Sequence, residues 1–142
     1  MKHTFSGQCA KPDPQQSVPA GDKDGHAFTL AQGKCTDNSK IGGASTKESA
    51  YSEHGDVSGN SSKAGGVYVE TYDSGDKVFY NYQTTATLKD GVMQTGGNRY
   101  QISGGTGKMK GIKGTGSCKL KGTAEGGVEF TCTGTYTLPS AK

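Results

Sequence analysis

Apolar and polar residues alternate along several stretches of this chain, most clearly near its C-terminus. Small or apolar residues occupy every second position there: Val128, Phe130, Cys132, Gly134, Tyr136 and Leu138. Threonine fills most of the positions between them. Since successive side chains of a strand point to opposite faces, this period predicts a β-strand with one buried and one solvated face. Pro139 is expected to end the strand, because proline offers no backbone N–H to a ladder.

A second alternating stretch lies just upstream, across a glycine-rich turn. A hairpin centred on Glu125 places Cys118 opposite Cys132. The same register places Leu120 opposite Phe130, on the same face. Strand pairing, apolar packing and cysteine position all agree in this arrangement, so we expect a Cys118–Cys132 disulfide.

The other two cysteines, Cys9 and Cys35, are then left to pair with each other. Their bridge would close an irregular, proline-containing segment between strands predicted at 4–9 and 26–36. None of the four cysteines lies in a CxxC or CxH arrangement. The cysteines therefore indicate disulfides formed in an oxidising compartment rather than zinc or redox chemistry.

The middle of the chain adds further strand signals. Segments 67–72 and 77–88 alternate and are joined by the turn-forming sequence Asp73-Ser74-Gly75-Asp76. Weaker patterns predict further strands at 44–53, 92–94 and 98–103. We predict no helix, because no long stretch repeats apolar residues at helical spacing. About eight short strands joined by turns indicate a single all-β domain over the whole chain, either a barrel or a sandwich.

The hairpin over 67–88 holds the richest group of candidate ligand-binding side chains: Tyr68, Glu70, Tyr72, Tyr80 and Tyr82. If its turn has an odd number of residues, all of them lie on one face and surround a carboxylate with phenols. Such a face would line a pocket for an aromatic ligand, with Glu70 as acid or base. A two-residue turn at Ser74–Gly75 shifts the register by one, and Val67 and Val69 then face the tyrosines. In that alternative the tyrosines are ordinary sheet residues.

Other candidate functional residues are weaker. Arg99 is a further ligand-binding candidate, in this case for an anionic group. Glu48, Glu53 and His54 carry groups able to do chemistry but form no motif. The three histidines lie apart without ligand spacing, so we expect no metal site and no cofactor. We assign no catalytic residue from the sequence.

Composition indicates a thin core. Apolar residues make up 30% of the chain and glycine supplies 24 positions, so we expect the disulfides to carry much of the stability. A disordered chain would share this composition but not the alternating runs of aromatic and β-branched residues.

Charge and hydropathy bear on the choice of partners. The net charge of +3 comes from fifteen lysines and a single arginine. The densest group of lysines is Lys108, Lys110, Lys113, Lys119 and Lys121. Nucleic-acid-binding faces usually combine arginine with aromatic residues, so we interpret these lysines as a solvated face and expect no nucleic-acid site. No run of about 18 apolar residues exists, and we expect no membrane span.

The expected location follows from the cysteines. Residues 1–4 contain no apolar core of a signal peptide. Because disulfides point to an oxidising compartment, we infer that a targeting segment has been removed. We therefore expect a secreted or periplasmic protein.

A glycine-rich segment, Ile102-Ser103-Gly104-Gly105-Thr106-Gly107-Lys108-Met109-Lys110-Gly111-Ile112-Lys113-Gly114, carries a family resemblance. It is not a phosphate-binding loop, because Met109 stands where serine or threonine is required and no helix pattern follows. The pattern of strand, Gly-Gly-Thr-Gly-Lys-Met-Lys-Gly and strand resembles the allene oxide cyclase and dirigent barrel superfamily. It is most similar to small exported bacterial proteins of unassigned function, over 67–138. The resemblance implies a closed antiparallel barrel of eight strands, often oligomeric; none of the superfamily's catalytic residues can be placed on this chain.

Two classes of function are consistent with these observations. The first is an exported barrel that binds a small hydrophobic or aromatic ligand on the tyrosine–glutamate face, with cyclase or isomerase activity as an open extension. It predicts a ligand-binding cavity that opens at one end of the barrel, with Glu70 inside it at a raised pKa. The alternative is a non-enzymatic structural protein of the cell surface or periplasm that assembles into homo-oligomers. It predicts an apolar patch on the outside or an open sheet edge.

Overall fold

The computed structural model describes residues 1–139, and these residues are organised almost entirely as β-strands. A single 3-10 turn, Gly107–Met109, is the one helical element among them. In chain order the strands are β1 (Lys2–Cys9), β2 (Gln15–Pro19), β3 (His26–Asp37), β4 (Lys40–Ile41), β5 (Ala44–Ser58), β6 (Ser61–Tyr72), β7 (Lys77–Lys89), β8 (Val92–Gly105), β9 (Lys113–Gly122) and β10 (Val128–Thr137).

Eight of these strands close into an antiparallel barrel in the order β3, β1, β10, β9, β8, β7, β6 and β5, with β5 paired back to β3. Strand β3 closes the ring because it has a partner on each edge. One edge pairs with β5 along most of its length, and the last residues of the other edge, Cys35–Asp37, pair with β1. The first part of that edge pairs with β2, which lies outside the ring. Barrel closure removes most of the open sheet edge that a flat sheet of this size would expose.

The C-terminal hairpin has the predicted register. Cys118 lies opposite Cys132 and Leu120 opposite Phe130 in the β9–β10 ladder. Both predicted disulfides are present, Cys118–Cys132 within this hairpin and Cys9–Cys35 between β1 and β3. The second bridge therefore fastens the seam at which the barrel closes.

Two segments differ from the sequence prediction. The strands predicted separately at 92–94 and 98–103 form one continuous strand, β8. Its glycines do not end it because they fit a crowded ladder: a Cβ at Gly96 would lie 2.7 Å from the Thr85 carbonyl oxygen. The proline-containing segment after β1 is not wholly irregular, since it contains β2. Pro19 is tolerated there because β2 is an edge strand, where a missing N–H costs no ladder bond.

Aromatic side chains fill the barrel interior, where Phe5, Tyr72, Tyr80, Tyr100, Phe130 and Tyr136 are all buried. Glycine makes room for them on the facing strands. A Cβ at Gly116 would lie 2.6 Å from the Thr133 carbonyl oxygen and would overlap the Tyr100 hydroxyl. Met109 and Ile112, from the glycine-rich segment, are buried in the same cluster. The glycine-rich segment thus contributes to the packing of the barrel.

Candidate functional site

The register of the β6–β7 hairpin decides where the tyrosines point. Tyr68 lies opposite Tyr80, and Thr71 lies opposite Lys77. The turn between these strands is therefore odd-numbered, and the alternative built on a two-residue Ser74–Gly75 turn is wrong. All the candidate side chains of this hairpin, Tyr68, Glu70, Tyr72, Tyr80 and Tyr82, share the inner face of the barrel.

Glu70 is the central group of this face and is fully buried. Its Oε1 accepts a hydrogen bond from the hydroxyl of Tyr72 at 2.7 Å and a second, short one from the hydroxyl of Tyr80. Both phenols are also buried. A carboxyl group at this depth is stable only because these donors replace water.

Asp37, the last residue of β3, supplies a second carboxyl group beside Glu70. Its Oδ2 accepts from the Tyr68 hydroxyl at 2.6 Å and from Ser49 Oγ at 3.1 Å. Its Oδ1 accepts from the backbone N–H of Ser39 at 3.0 Å. Asp37 lies opposite Gly7 of β1, so it sits at the seam where the barrel closes.

Glu70 and Asp37 lie close enough to shift each other's pKa in opposite directions. Burial, and then the hydrogen bond and charge of Asp37, raise the pKa of Glu70 well above its ordinary value. Burial acts in the same direction on Asp37, but hydrogen bonds from Glu70, Tyr68 and the backbone of Ser39 outweigh it and lower the pKa of Asp37. The first proton that the pair binds is therefore expected on Glu70. Its Oε2, which has no hydrogen-bond partner within residues 1–139, is the oxygen free to carry that proton.

A histidine extends this network toward the first strand. Ser39 Oγ lies 2.6 Å from His3 Nε2 and 3.0 Å from the Tyr72 hydroxyl oxygen. Because Tyr72 donates its only proton to Glu70, it accepts from Ser39, which in turn accepts from His3 Nε2–H. Burial lowers the pKa of His3 to about 4, against a smaller opposite effect of the Asp37 charge, so His3 is neutral at neutral pH. Its Nδ1 is buried without a partner.

The phenols of the network are neutral donors at any physiological pH. Burial first, and then the charge of Asp37, raises the pKa of Tyr68. Burial does the same for Tyr72 and Tyr80. The chain His3, Ser39, Tyr72, Glu70 is therefore a continuous hydrogen-bonded path that ends beside Asp37.

Tyr82 belongs to a separate cluster farther along the same inner face. Its hydroxyl donates to Glu53 Oε1 at 2.8 Å. Burial raises the pKa of Glu53, and burial with the Glu53 charge raises the pKa of neighbouring Tyr51 to about 12. The predicted tyrosines thus divide between two carboxyl clusters instead of surrounding one.

A depression on the outer wall reaches Asp37, one member of the carboxyl pair. It has a volume of about 440 Å³, and its lining includes Asp37, Gly7 and Phe130, with polar residues of β1, β3 and β10 around them. Gly7 keeps the wall thin here, since a Cβ at this position would lie 2.7 Å from the Phe130 ring and 2.8 Å from Asp37 Cβ. A group bound in the depression would therefore meet the Asp37 end of the network.

The structure separates Arg99 from the other candidates. Arg99 is exposed on the outer face of β8, between Gln83 of β7 and Ser117 of β9. Sequence reasoning missed Asp37, Ser39, Ser49 and His3. The alternation of Cys35 with Asp37 and of His3 with Phe5 could have indicated inward positions for two of them.

Two further observations concern ions and membranes. Within residues 1–139, no group of three or more His, Cys, Asp or Glu side chains is placed to hold a metal ion. None of the helical segments in that range is long and apolar enough to cross a membrane.

No protein-family model matches this sequence, and no curated protein matches it either.

Proposed function

We propose that this protein is an exported barrel that binds a small molecule at the depression above Gly7 and engages it with the Asp37–Glu70 pair. The observation that carries the proposal is a buried cluster beside the depression, in which Asp37 accepts from the Tyr68 hydroxyl and Glu70 from the hydroxyls of Tyr72 and Tyr80. The opposite pKa shifts of the two carboxyl groups support it. Buried groups with strongly perturbed pKa values concentrate at functional sites, because such burial has a stability cost. Export is supported by the two disulfides, which are typical of oxidising compartments.

The lining of the depression indicates the ligand class. The largely buried Phe130 contributes apolar surface to the lining, whereas Ser6, Thr36 and Asn38 contribute hydroxyl and amide groups. A volume of about 440 Å³ suits a small cyclic compound. The proposed ligand is thus a monocyclic aromatic or hydrophobic molecule with one hydroxyl or carbonyl group for Asp37.

The same centre has the chemistry for proton transfer. An ionised Asp37 can take a proton from one atom of the ligand and return a proton to another, so that the carboxyl pair ends with as many protons as it began with; Glu70 beside it favours the ionised form of Asp37. Many isomerases and cyclases depend on proton transfer of this kind, and the proposal therefore includes isomerase or cyclase activity on the bound ligand. It also agrees with the resemblance of the glycine-rich segment to the allene oxide cyclase and dirigent superfamily.

A titration with p-cresol, followed by amide NMR, tests the binding site. We expect saturable shifts at Gly7, Thr36, Asp37 and Asn38, and their loss in Asp37→Asn. Glu53→Gln, which alters the separate cluster, is the matched control and should leave the shifts unchanged. Shifts confined to residues around Leu30 and Val67, or none at all, would contradict the proposed site.

Self-assembly is a second candidate function, favoured by a different observation. Val18, Phe28, Leu30 and Val67 are exposed together on the outside of β2, β3 and β6, beside a groove of about 580 Å³. Among residues 1–139, strand β2 next to them pairs only with β3, and its residues are uncharged. Such an edge invites pairing with a second copy. Analytical ultracentrifugation of the wild type and of Phe28→Ser/Leu30→Ser tests it: a concentration-dependent dimer lost in the variant supports assembly, and a strict monomer excludes it.

A further inference from the structure

The outer wall of the barrel opposite β5 has a uniform chemistry. Every outward position of β9 and β10 carries a lysine, serine, threonine or glutamate, and all of these positions are exposed. Four threonines form one row along β10: Thr131, Thr133, Thr135 and Thr137. We call the outward side chains of β1, β8, β9 and β10 the hydroxyl–lysine wall.

Cross-strand pairing arranges the hydroxyls and the charges in register. Thr133 lies beside Ser117 on one side and Thr4 on the other. Lys119 lies beside Thr131, and Lys113 beside Thr137. Because neighbouring strands are about 4.8 Å apart and alternate residues about 6.8 Å apart, the wall presents a regular lattice of hydroxyl groups bordered by ammonium groups.

Charge is segregated between the two halves of the chain. Residues 77–137 contain eight Lys or Arg against three Asp or Glu, whereas residues 1–76 contain seven against ten. On the wall itself, Lys2, Arg99, Lys113, Lys119 and Lys121 are opposed by Glu129 alone. The charge of the protein is thus concentrated on the wall, which therefore complements a polyanion.

We propose that the hydroxyl–lysine wall binds an anionic polysaccharide, a polymer that presents hydroxyl groups together with carboxylate or sulfate groups. Serine and threonine hydroxyls both donate and accept hydrogen bonds, as sugar hydroxyls require, and lysine supplies point charges for the anionic groups. Single-stranded nucleic acid is disfavoured, because the wall has one arginine and no aromatic side chain for base stacking. A membrane surface is disfavoured as well, since none of the outward side chains of β9 and β10 is apolar and able to insert.

Binding of dextran sulfate and of polygalacturonate, measured by calorimetry against neutral dextran, tests the proposal. We expect binding of at least one anionic polymer and a loss of about tenfold or more in Lys119→Glu/Lys121→Glu, because reversal replaces two attractions with repulsions. Thr131→Val/Thr133→Val should weaken binding by about threefold or more, as removed hydrogen bonds do. All of these positions are exposed on strand faces, so the variants are expected to fold.

The matched control carries the same change of net charge elsewhere. Lys34→Glu/Lys47→Glu alters exposed residues of β3 and β5, outside the wall, and should retain wild-type affinity. An equal loss in this control would show that net charge alone attracts the polymer and would overturn the proposal. So would the absence of binding to both polymers at roughly 50 mM salt, where surface charges are weakly screened. Equal or tighter binding of poly(dT) would assign the wall to nucleic acid instead.

Discussion

Glu70 on β6 and Asp37 on β3 meet inside the barrel as two carboxyl groups whose pKa values are shifted in opposite directions, upward for Glu70 and downward for Asp37. Tyrosine hydroxyls donate to both, and a serine hydroxyl and a backbone N–H complete the shell of Asp37, whereas Glu70 Oε2 has no hydrogen-bond partner within residues 1–139. The pair joins β6 to the last residue of β3, which lies opposite Gly7 of β1 at the barrel seam. The two carboxyl groups meet only when the barrel is closed, and they lie at the proposed binding site. Their protonation state is therefore sensitive to both.

Replacing Glu70 with glutamine should flatten the dependence of stability on pH. Because the pKa of Glu70 is raised in the folded state, the stability that Glu70 contributes is complete below its unfolded-state pKa of 4.5. This contribution declines as pH rises toward the folded-state pKa. An amide keeps the acceptor for Tyr72 and Tyr80 and donates to Asp37 without needing a proton. We expect Glu70→Gln to be more stable than the wild type at pH 7 by on the order of 1–3 kcal/mol, measured by urea unfolding from acid to neutral pH. Glu70→Ala, which leaves two buried phenols without an acceptor, should instead be less stable at every pH.

Removing the Tyr68 hydroxyl should destabilise the fold and weaken it further in acid. This hydroxyl donates to the ionised Asp37, so Tyr68→Phe is expected to cost about 1.5–3 kcal/mol. Loss of the donor also raises the pKa of Asp37, and stability that depends on its ionisation is then lost at a higher pH during acidification. Tyr136→Phe is the control, because within residues 1–139 the Tyr136 hydroxyl has only a methionine sulfur as hydrogen-bond partner, at 3.9 Å. Equal losses in the two variants would argue against a charged partner for Tyr68.

Both disulfides should be intact in the native protein and should stabilise it separately. The Cys9–Cys35 bridge closes the longer loop, with a sequence separation of 26 against 14 for Cys118–Cys132. Each Cys→Ala pair should lower the free energy of unfolding by about 3 kcal/mol, slightly more for Cys9–Cys35. Mass spectrometry before and after reduction checks the bridges, and denaturant unfolding checks the energies. Free thiols in the native protein would contradict the inference that the protein is exported to an oxidising compartment.

A surface histidine should fasten the β2–β3 turn in a pH-dependent way. His26 Nδ1 lies 2.6 Å from Asp22 and Nε2 lies 2.8 Å from Asp56 of β5. The hydrogen bond with Asp22, and then that with Asp56, raises the pKa of His26 against a smaller opposing effect of burial. The stabilisation is therefore complete below the unfolded pKa of 6.5 and is lost as pH rises through the folded value. In the wild type, amide hydrogen exchange in β2 should accelerate as pH rises above the folded-state pKa of His26. In His26→Ala it should already be fast at lower pH. A wild-type exchange rate that follows only the intrinsic pH dependence of amide exchange would refute this prediction.

The period-two pattern was sufficient to predict an all-β domain and its C-terminal hairpin, whereas the closed barrel was expected only from the resemblance of the glycine-rich segment, and the site was predicted only in part. The C-terminal register followed from Leu120, Phe130 and the cysteines, because three independent constraints agreed. The β6–β7 register did not, because polar and apolar residues on both faces of these strands leave a one-residue shift open. Asp37, Ser39 and His3 approach Glu70 only when β3 closes the ring, across sequence separations that no local pattern encodes.

The most direct test of the central claim is carboxyl-carbon NMR of protein labelled at aspartate and glutamate side chains, titrated from acid to alkaline pH. We predict that the Glu70 carboxyl carbon keeps the chemical shift of a protonated acid at pH 7 while the Asp37 carbon shows the ionised form. Assignment by Glu70→Gln and Asp37→Asn removes each signal in turn. A Glu70 resonance that titrates near its ordinary value of 4.5 would show that the pKa of Glu70 is not raised and would contradict the proposed centre.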